Sequence, residues 1–357
     1  MKEKYSLKQF WSLVTIILFT LGCNAQDKQS AGSILKIDPY FIESTDTFSV
    51  HGPDHIVRDL LQDKNGMFWF ASWLGIISYD GKVFTNHTLK SGLIHFHVVS
   101  VFEDSKGNLW FGTARGGLYL FDGKEFKLFT TNDGLADNTV LCYAEDRSGR
   151  IWMGTEQGVS CYDRNAKGNK PFANYTTAHG LNDNYVGAIL CDHSGKLWIG
   201  TNKGINLFDG TSFSEFSKDG RSFNKIMALH EDKSGMIWIG TFTGLILFDP
   251  QAKSGFYFKD ILMPYLTYYF TEDKNGCVFF SQSEVNSRFD GLPNQVLFKY
   301  DPNLKSENKF TRITEKDDNN DFQIFGKTID KKGNLWFGTM HGPCRYDGSK
   351  FTYFLKK

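Results

Sequence analysis

From about residue 55 onward the chain runs as short apolar stretches of four to six residues, rich in Val, Ile, Leu, Trp and Phe, each closed by a cluster of Asp, Asn, Gly and Ser. Residues 97–130 show the pattern most plainly. Residues 97–103 are apolar and β-branched, 104–108 read as a turn, 109–113 as a second strand, Gly116-Gly117 as a break, 118–121 as a third strand, 122–124 as another turn and 125–130 as a fourth strand. A 3.6-residue period is absent, so the expected unit is an antiparallel meander of four short strands.

The unit repeats. An Asp-x-x-Gly turn followed by an aromatic recurs around Trp69, Trp110, Trp152, Trp198, Trp238, Val278 and Trp336, at intervals of 40–46 residues with one of 58. A lone four-stranded sheet cannot bury enough apolar surface to be stable, and a period of this length belongs to propeller blades. The predicted fold is all-β: a seven-bladed β-propeller of four-stranded antiparallel blades over residues 55–357. The Trp column, with Val278 as its exception, supplies the large apolar groups that packing between sheets requires. The Asp-x-x-Gly turns lack the further oxygens of a Ca²⁺ loop and are read as hairpins. Residues 351–355 provide the last unit's own fourth strand, so the ring can close without exchange; residues 34–50 are expected to add a strand or to lie across the closure.

The N-terminal segment differs in kind. Lys2, Lys4 and Lys8 precede an apolar run over 10–21, too short to span a bilayer and suited to a secretory leader. Residues 1–22 are therefore predicted to be a lipoprotein-type signal peptide, with Cys23 as the acylated residue and 23–54 as a tether. Ordinary cleavage after Ala25 is the alternative. Membrane attachment is expected only through a lipid on Cys23, placing the protein in the periplasm or on the outer membrane. The charge balance of 40 Lys+Arg against 40 Asp+Glu leaves no basic field for nucleic acid. Cys142, Cys161, Cys191, Cys277 and Cys344 show no metal spacing and no disulfide framework; Cys142, Cys161 and Cys191, set among apolar strand residues, read as small buried hydrophobes, and no cofactor is expected.

The pattern V-x-x-x-x-E-D-x-x-G-x-x-W-x-G-T-x-x-G, followed by linkers such as Thr131-Asn132-Asp133-Gly134-Leu135 and Thr177-Ala178-His179-Gly180-Leu181, resembles the two-component regulator propeller repeat. In that family such repeats build extracytoplasmic sensor domains of membrane-bound hybrid histidine kinases, often tied to glycan sensing and uptake. The sequence to Lys357 shows no kinase or DNA-binding module, so the resemblance implies only the propeller's recognition role.

If the first strand of each unit lies nearest the axis, the residue before it and the loop between second and third strands form one ring at the channel mouth. The candidate ligand-binding residues there are Trp73, His97, Arg115, Glu156, Tyr185, Lys203, Lys225, Phe242 and His341. Mixed aromatic, charged and amide groups around a concavity suit a small molecule, a glycan or an envelope protein. The last interval is long, and 282–295 replace four or five residues of other units. This insertion is expected to overhang the mouth, with Arg288 and Phe289 contributing to recognition. Scattered histidines, including the His95/His97 pair, and a likeness of D-G-N-L-W-F repeats to lyase propellers raise an enzymatic alternative. No Ser-His-Asp order, phosphate loop or H-E-x-x-H supports it. The expected function is thus a non-catalytic ligand-binding or sensory accessory lipoprotein, with an envelope scaffold as the alternative and a propeller lyase or hydrolase behind it.

Overall fold

In the computed structural model the described residues are 47–94, 97–166, 171–217, 223–251, 259–261, 266–283, 295–305, 309–313 and 323–355. The leader, Cys23 and the cleavage-site alternative lie outside them.

Each blade is organised by one aspartate. In blade 5 the Asp232 Oδ1 accepts the backbone N–H groups of Ser234 (2.9 Å) and Met236 (3.1 Å), and Oδ2 accepts the Trp238 indole N–H at 2.7 Å. Gly235 completes the turn with φ 84°, a conformation that costs a β-carbon-bearing residue about 1 kcal/mol or more. The same indole bond joins Trp69 to Asp63, Trp110 to Asp104, Trp152 to Asp146, Trp198 to Asp192 and Trp336 to Asp330, at 2.8–3.1 Å. The Asp-x-x-Gly-x-x-Trp spacing is therefore a hairpin whose turn carboxylate reaches into the adjoining strand.

Seven sheets result. Blade 2 runs Val98–Glu103, Leu109–Thr113, Leu118–Phe121 and Phe126–Phe129, hydrogen-bonded in that order, and five further blades repeat the arrangement. Blade 1 has a fifth strand, Phe48–Ser49, antiparallel to its fourth strand, Phe84–Asn86. The fold is a seven-bladed β-propeller. First strands of successive blades touch one another and so surround the axis, and the first strand of blade 1, Val57–Gln62, meets that of blade 7, Ile324–Ile329.

Between each pair of neighbouring blades sits a cluster of buried side chains. Trp110 packs with Leu118, Phe129, Val140, Ile151 and Met153 between blades 2 and 3, and Trp152 with Val186, Leu197 and Ile199 between blades 3 and 4. The glycine of each W-x-G-T allows this approach. A β-carbon at Gly112 would stand 2.2 Å from the Val140 carbonyl of the next blade, and one at Gly338 2.3 Å from that of Val57. The ring closes without strand exchange. Phe354 stacks on Trp336 at 4.9 Å, Phe68 lies 4.2 Å from the same indole, and the Gly52 N–H donates to the Phe354 carbonyl at 2.6 Å.

The glutamate of the Glu-Asp pair serves the neighbouring blade. At the end away from the strand 2–3 loops, Glu103 accepts the Lys64 N–H, Glu145 that of Ser105, Glu231 that of His193 and Glu272 that of Lys233, while Gln62 accepts that of Lys331 across the closure. Cys191 and Ile329 occupy the corresponding positions of blades 4 and 7. The five cysteines among the described residues are free, and burial pushes the thiols of Cys142 and Cys161 up to about 12, which keeps them inert.

Two expectations require correction. The Trp-column exception is Phe279, not Val278: Phe279 pairs with Thr271 as Trp238 pairs with His230, and it joins the cluster between blades 6 and 7. The physical reason is the turn, since the aromatic must stand six residues after the turn aspartate, here Asp273. The sixth blade's second and third strands are Val278–Ser283 and Gln295–Tyr300, with Gln282 opposite Val296 and Ser283 opposite Gln295. Gln282, Ser283 and Gln295 therefore belong to the ladder, and the insertion shortens to 284–294.

Asp232→Ala should cost about 2–4 kcal/mol because it strands the buried Trp238 indole N–H and removes the acceptor of two turn amides. Asp273→Ala, with no indole to satisfy, should cost less; denaturant melts of both variants check the difference. The acid limb follows from the same aspartates. Burial opposes ionisation of Asp104, Asp146, Asp192 and Asp330, but the hydrogen bonds they accept outweigh it and hold all four below the usual carboxylate range. Their contribution is complete above an unfolded value of about 3.9 and lost as pH falls through the depressed values, so the melting temperature should fall mainly below about pH 4.

Candidate functional site

Antiparallel pairing puts the residue before each first strand beside the loop that follows the second strand. The Trp73 N–H donates to the Ile56 carbonyl (3.0 Å), Ala114 to His97 (2.9 Å), Phe242 to Lys225 (3.1 Å) and Ser283 to Leu266 (3.0 Å). Neighbouring blades are stitched at the same end, where the Arg115 N–H reaches the Thr139 Oγ1 at 3.2 Å and the Lys225 N–H the Asn202 carbonyl at 2.9 Å. These loops form one ring, opposite the glutamate belt.

The ring sorts the sequence candidates into groups. Trp73 of blade 1 faces His97 of blade 2, with centroids 5.2 Å apart and planes tilted by 31°. Lys225 holds its ammonium 4.6 Å over the Phe242 ring. Burial raises the Glu156 carboxyl above its ordinary range, Asp137 adds to the rise and Arg115 opposes it, so Arg115 and Glu156 lie within electrostatic reach of each other. Burial, and then Glu156, raise the Tyr185 phenol. Lys203 turns instead to Asp183, 3.5 Å away. His341 is exposed in its loop, with its N–H on Thr339 Oγ1. Arg288, Phe289 and His95 lie outside the described residues.

Below the mouth the channel wall carries residues that sequence reasoning missed. Every first strand contains a register slip. In blades 1–5 and 7 it inserts one residue after the strand's first position, Arg58 in blade 1 and Phe325 in blade 7. In blade 6 the slip comes later, between Tyr268 and Thr271. A bulge bends its strand and re-aims side chains. Arg58 lies over the Phe325 ring at 4.8 Å, and Tyr268 stacks on Tyr269 at 5.6 Å. The one available signal was the run Tyr268-Tyr269-Phe270, three consecutive aromatics that no other first strand carries.

Asp59, beside Arg58, accepts the N–H groups of Leu60 (2.9 Å) and Val101 (3.0 Å), yet burial dominates and raises its carboxyl to about 6. His230 lies 3.8 Å from Glu272, and burial depresses its imidazole to about 4. Lys327 is buried without a hydrogen-bond partner among the described residues, and burial brings its ammonium well below the usual lysine range. Among the described residues no cluster of three His, Cys, Asp or Glu is placed to hold a metal ion.

Backbone strain concentrates in the same region. Among the described residues, the non-glycine residues with left-handed backbone are Arg115 (φ 69°), Lys225 (φ 51°) and Tyr269 (φ 51°). Two are at the mouth and one is in the channel wall. Such strain persists where the surroundings over-determine it, and it gathers at ligand sites.

The geometry defines a seven-bladed propeller with a chemically mixed loop face around its axis. Residues 95–115, 134–157, 180–203 and 220–243 match the family model described as two component regulator propeller. The fold is similar to the extracellular domain of a hybrid two-component system of B. thetaiotaomicron, at 23% identity and TM-score 0.67, covering 85% of this chain and 41% of that one. It is also similar to the extracellular domain of a one-component system from the same organism, at 18% identity and TM-score 0.65, covering 85% and 40%. The chain thus spans about two fifths of those domains. A virginiamycin B lyase from Staphylococcus aureus shares the fold at 15% identity and TM-score 0.61, covering 83% and 97%. No curated protein matches the chain.

Two outcomes are expected. Lys225→Gly relieves the left-handed strain, whereas Lys225→Ala loses the same cation–π contact without relief, so calorimetry should place the glycine variant higher in Tm, by about 1 kcal/mol in stability. Because the folded value of Asp59 is raised, its contribution is present below the unfolded carboxylate value and lost as pH rises through about 6. Asp59→Asn should remove that loss of stability on raising the pH, as followed by melts across the interval.

Proposed function

We propose that the protein is an exported, non-catalytic recognition propeller that binds a polar small molecule, a glycan or an envelope protein at the channel mouth. The observation that carries this reading is the coincidence of strain with exposed chemistry: Arg115 and Lys225 hold costly backbone conformations on the face that also presents Trp73, His97, Glu156 and Phe242. A purely structural rim would have used glycine there, as the blade turns do. Flat rings beside directed polar groups give affinity and orientation together.

Export rests on the lysine-flanked apolar leader and is consistent with fold relatives that are extracellular domains. In this reading Cys23 carries the lipid that holds the protein at the periplasmic or outer membrane, with cleavage after Ala25 as the form that would release it. Recognition is preferred to catalysis because the His97 imidazole at the mouth is faced by the Trp73 indole, a pair of flat rings suited to holding a ligand.

The experiment is a glycan and peptide array probed with the protein and with a Trp73→Ala/Phe242→Ala variant. Binding to a defined subset of spots, reduced at least about tenfold in the variant while it still melts cooperatively, is expected. Unchanged array binding by the variant would remove the mouth from the function.

A further inference from the structure

Recognition at the mouth leaves the channel wall beneath it unexplained. Arg58 stands in the first strand of blade 1, yet its charge is felt by the phenols of Tyr185 in blade 4 and of Tyr268 and Tyr269 in blade 6, and it lies on the ring of Phe325 in blade 7. The space that first strands of blades 1, 4, 6 and 7 have in common is the axis. These side chains are deep within the molecule but only half-buried. That combination is what walls of a solvent-connected channel show.

Among the described residues Arg58 makes no ion pair; the carboxylate beside it, Asp59, points its two oxygens at the N–H groups of Leu60 and Val101. Two residues further along the strand from Phe325, Lys327 is a second cation without a hydrogen-bond partner among the described residues. A guanidinium held over a flat ring, with its fork unmatched, fits a carboxylate by two parallel hydrogen bonds. Burial raises all three phenols further above the ordinary tyrosine value, so they bring no negative charge to this space. The stacked pair Tyr268 and Tyr269 offers a flat apolar face on the same space. Tyr269 reaches that position only through a displaced bulge and a φ of 51°, a local cost that packing alone does not require, since the other blades place their bulge without it.

We propose that the axial channel is a binding site for a small ring-bearing carboxylate, with Arg58 clamping the carboxylate and Tyr268, Tyr269 and Phe325 lining the ring. This goes beyond recognition at the mouth, and it stands or falls independently of it. The ring of such a ligand could be aromatic or a sugar acid, and the two are separated by the probes. The cluster is distinct from the glutamate belt, whose carboxylates are occupied by backbone amides at the opposite end.

The test is titration calorimetry with saturation-transfer NMR on the intact protein. Benzoate and glucuronate are the carboxylate probes, and benzamide and methyl glucoside their neutral counterparts. One carboxylate probe should bind with a Kd of about 1 mM or tighter, and its neutral counterpart at least about tenfold more weakly. Arg58→Gln should abolish the signal, and Arg58→Lys, which keeps the charge but loses the fork, should retain only a part of it. Trp73→Ala/Phe242→Ala should leave it unchanged, so loss of array binding and loss of carboxylate binding report on different sites. Each variant is checked by its melting temperature. Absence of binding of both carboxylates up to about 10 mM, or equal binding by a folded Arg58→Gln protein, overturns the proposal. Equal binding of the neutral counterparts would overturn it as well.

Discussion

A carboxylate that accepts an indole N–H inside a hairpin is the interaction on which this structure depends. The turn aspartate closes the hairpin through its Oδ1 and fixes the tryptophan through its Oδ2, and the tryptophan then fills the gap to the next sheet. Local turn chemistry and inter-blade packing are thereby joined in one residue pair. The geometry of the ring follows, because an indole anchored at the same depth in six of the seven blades sets how closely the next blade approaches. The sixth blade, where Phe279 replaces the indole, keeps the packing and loses the anchor. Its neighbourhood is also where the first-strand bulge has moved.

The two ends of the ring differ in kind. On one, glutamates and a glutamine hold the turns of adjacent blades, so polar groups are satisfied within the protein. On the other, backbone hydrogen bonds and threonine hydroxyls hold the loops, and the aromatic and charged side chains are left for other uses. A surface whose backbone is fixed and whose side chains are not needed for structure can vary in chemistry without cost to the fold. Histidines, lysines and aromatics at the mouth are consistent with that freedom.

The fold was legible because its determinants are local and repeated: the turn, the aromatic six residues on, the small residue before Thr. The same local counting, applied one residue off, placed Val278 where Phe279 belongs. The mouth was legible in outline because pairing register fixes which loops share an end. The channel wall was not, because bulges decide it. A single inserted residue, Arg58 or Phe325, reverses which side chains face the axis, and nothing in an alternating pattern marks where the insertion falls. The approach of Arg58 to residues of blades 4 and 6 is a property of ring closure, to which no spacing in the chain corresponds.

Closure without strand exchange has a topological corollary. Each four-stranded blade is built from one uninterrupted stretch of chain, and the seam between blades 7 and 1 is held by rings such as Phe68 on Trp336 and by the Gly52 amide rather than by a shared sheet. The order of the blades is therefore cyclic in all but covalent connection. A circular permutant that joins the present ends and opens the chain at any other inter-blade linker would preserve each four-stranded meander, and only the short edge strand at Phe48–Ser49 would need a new attachment.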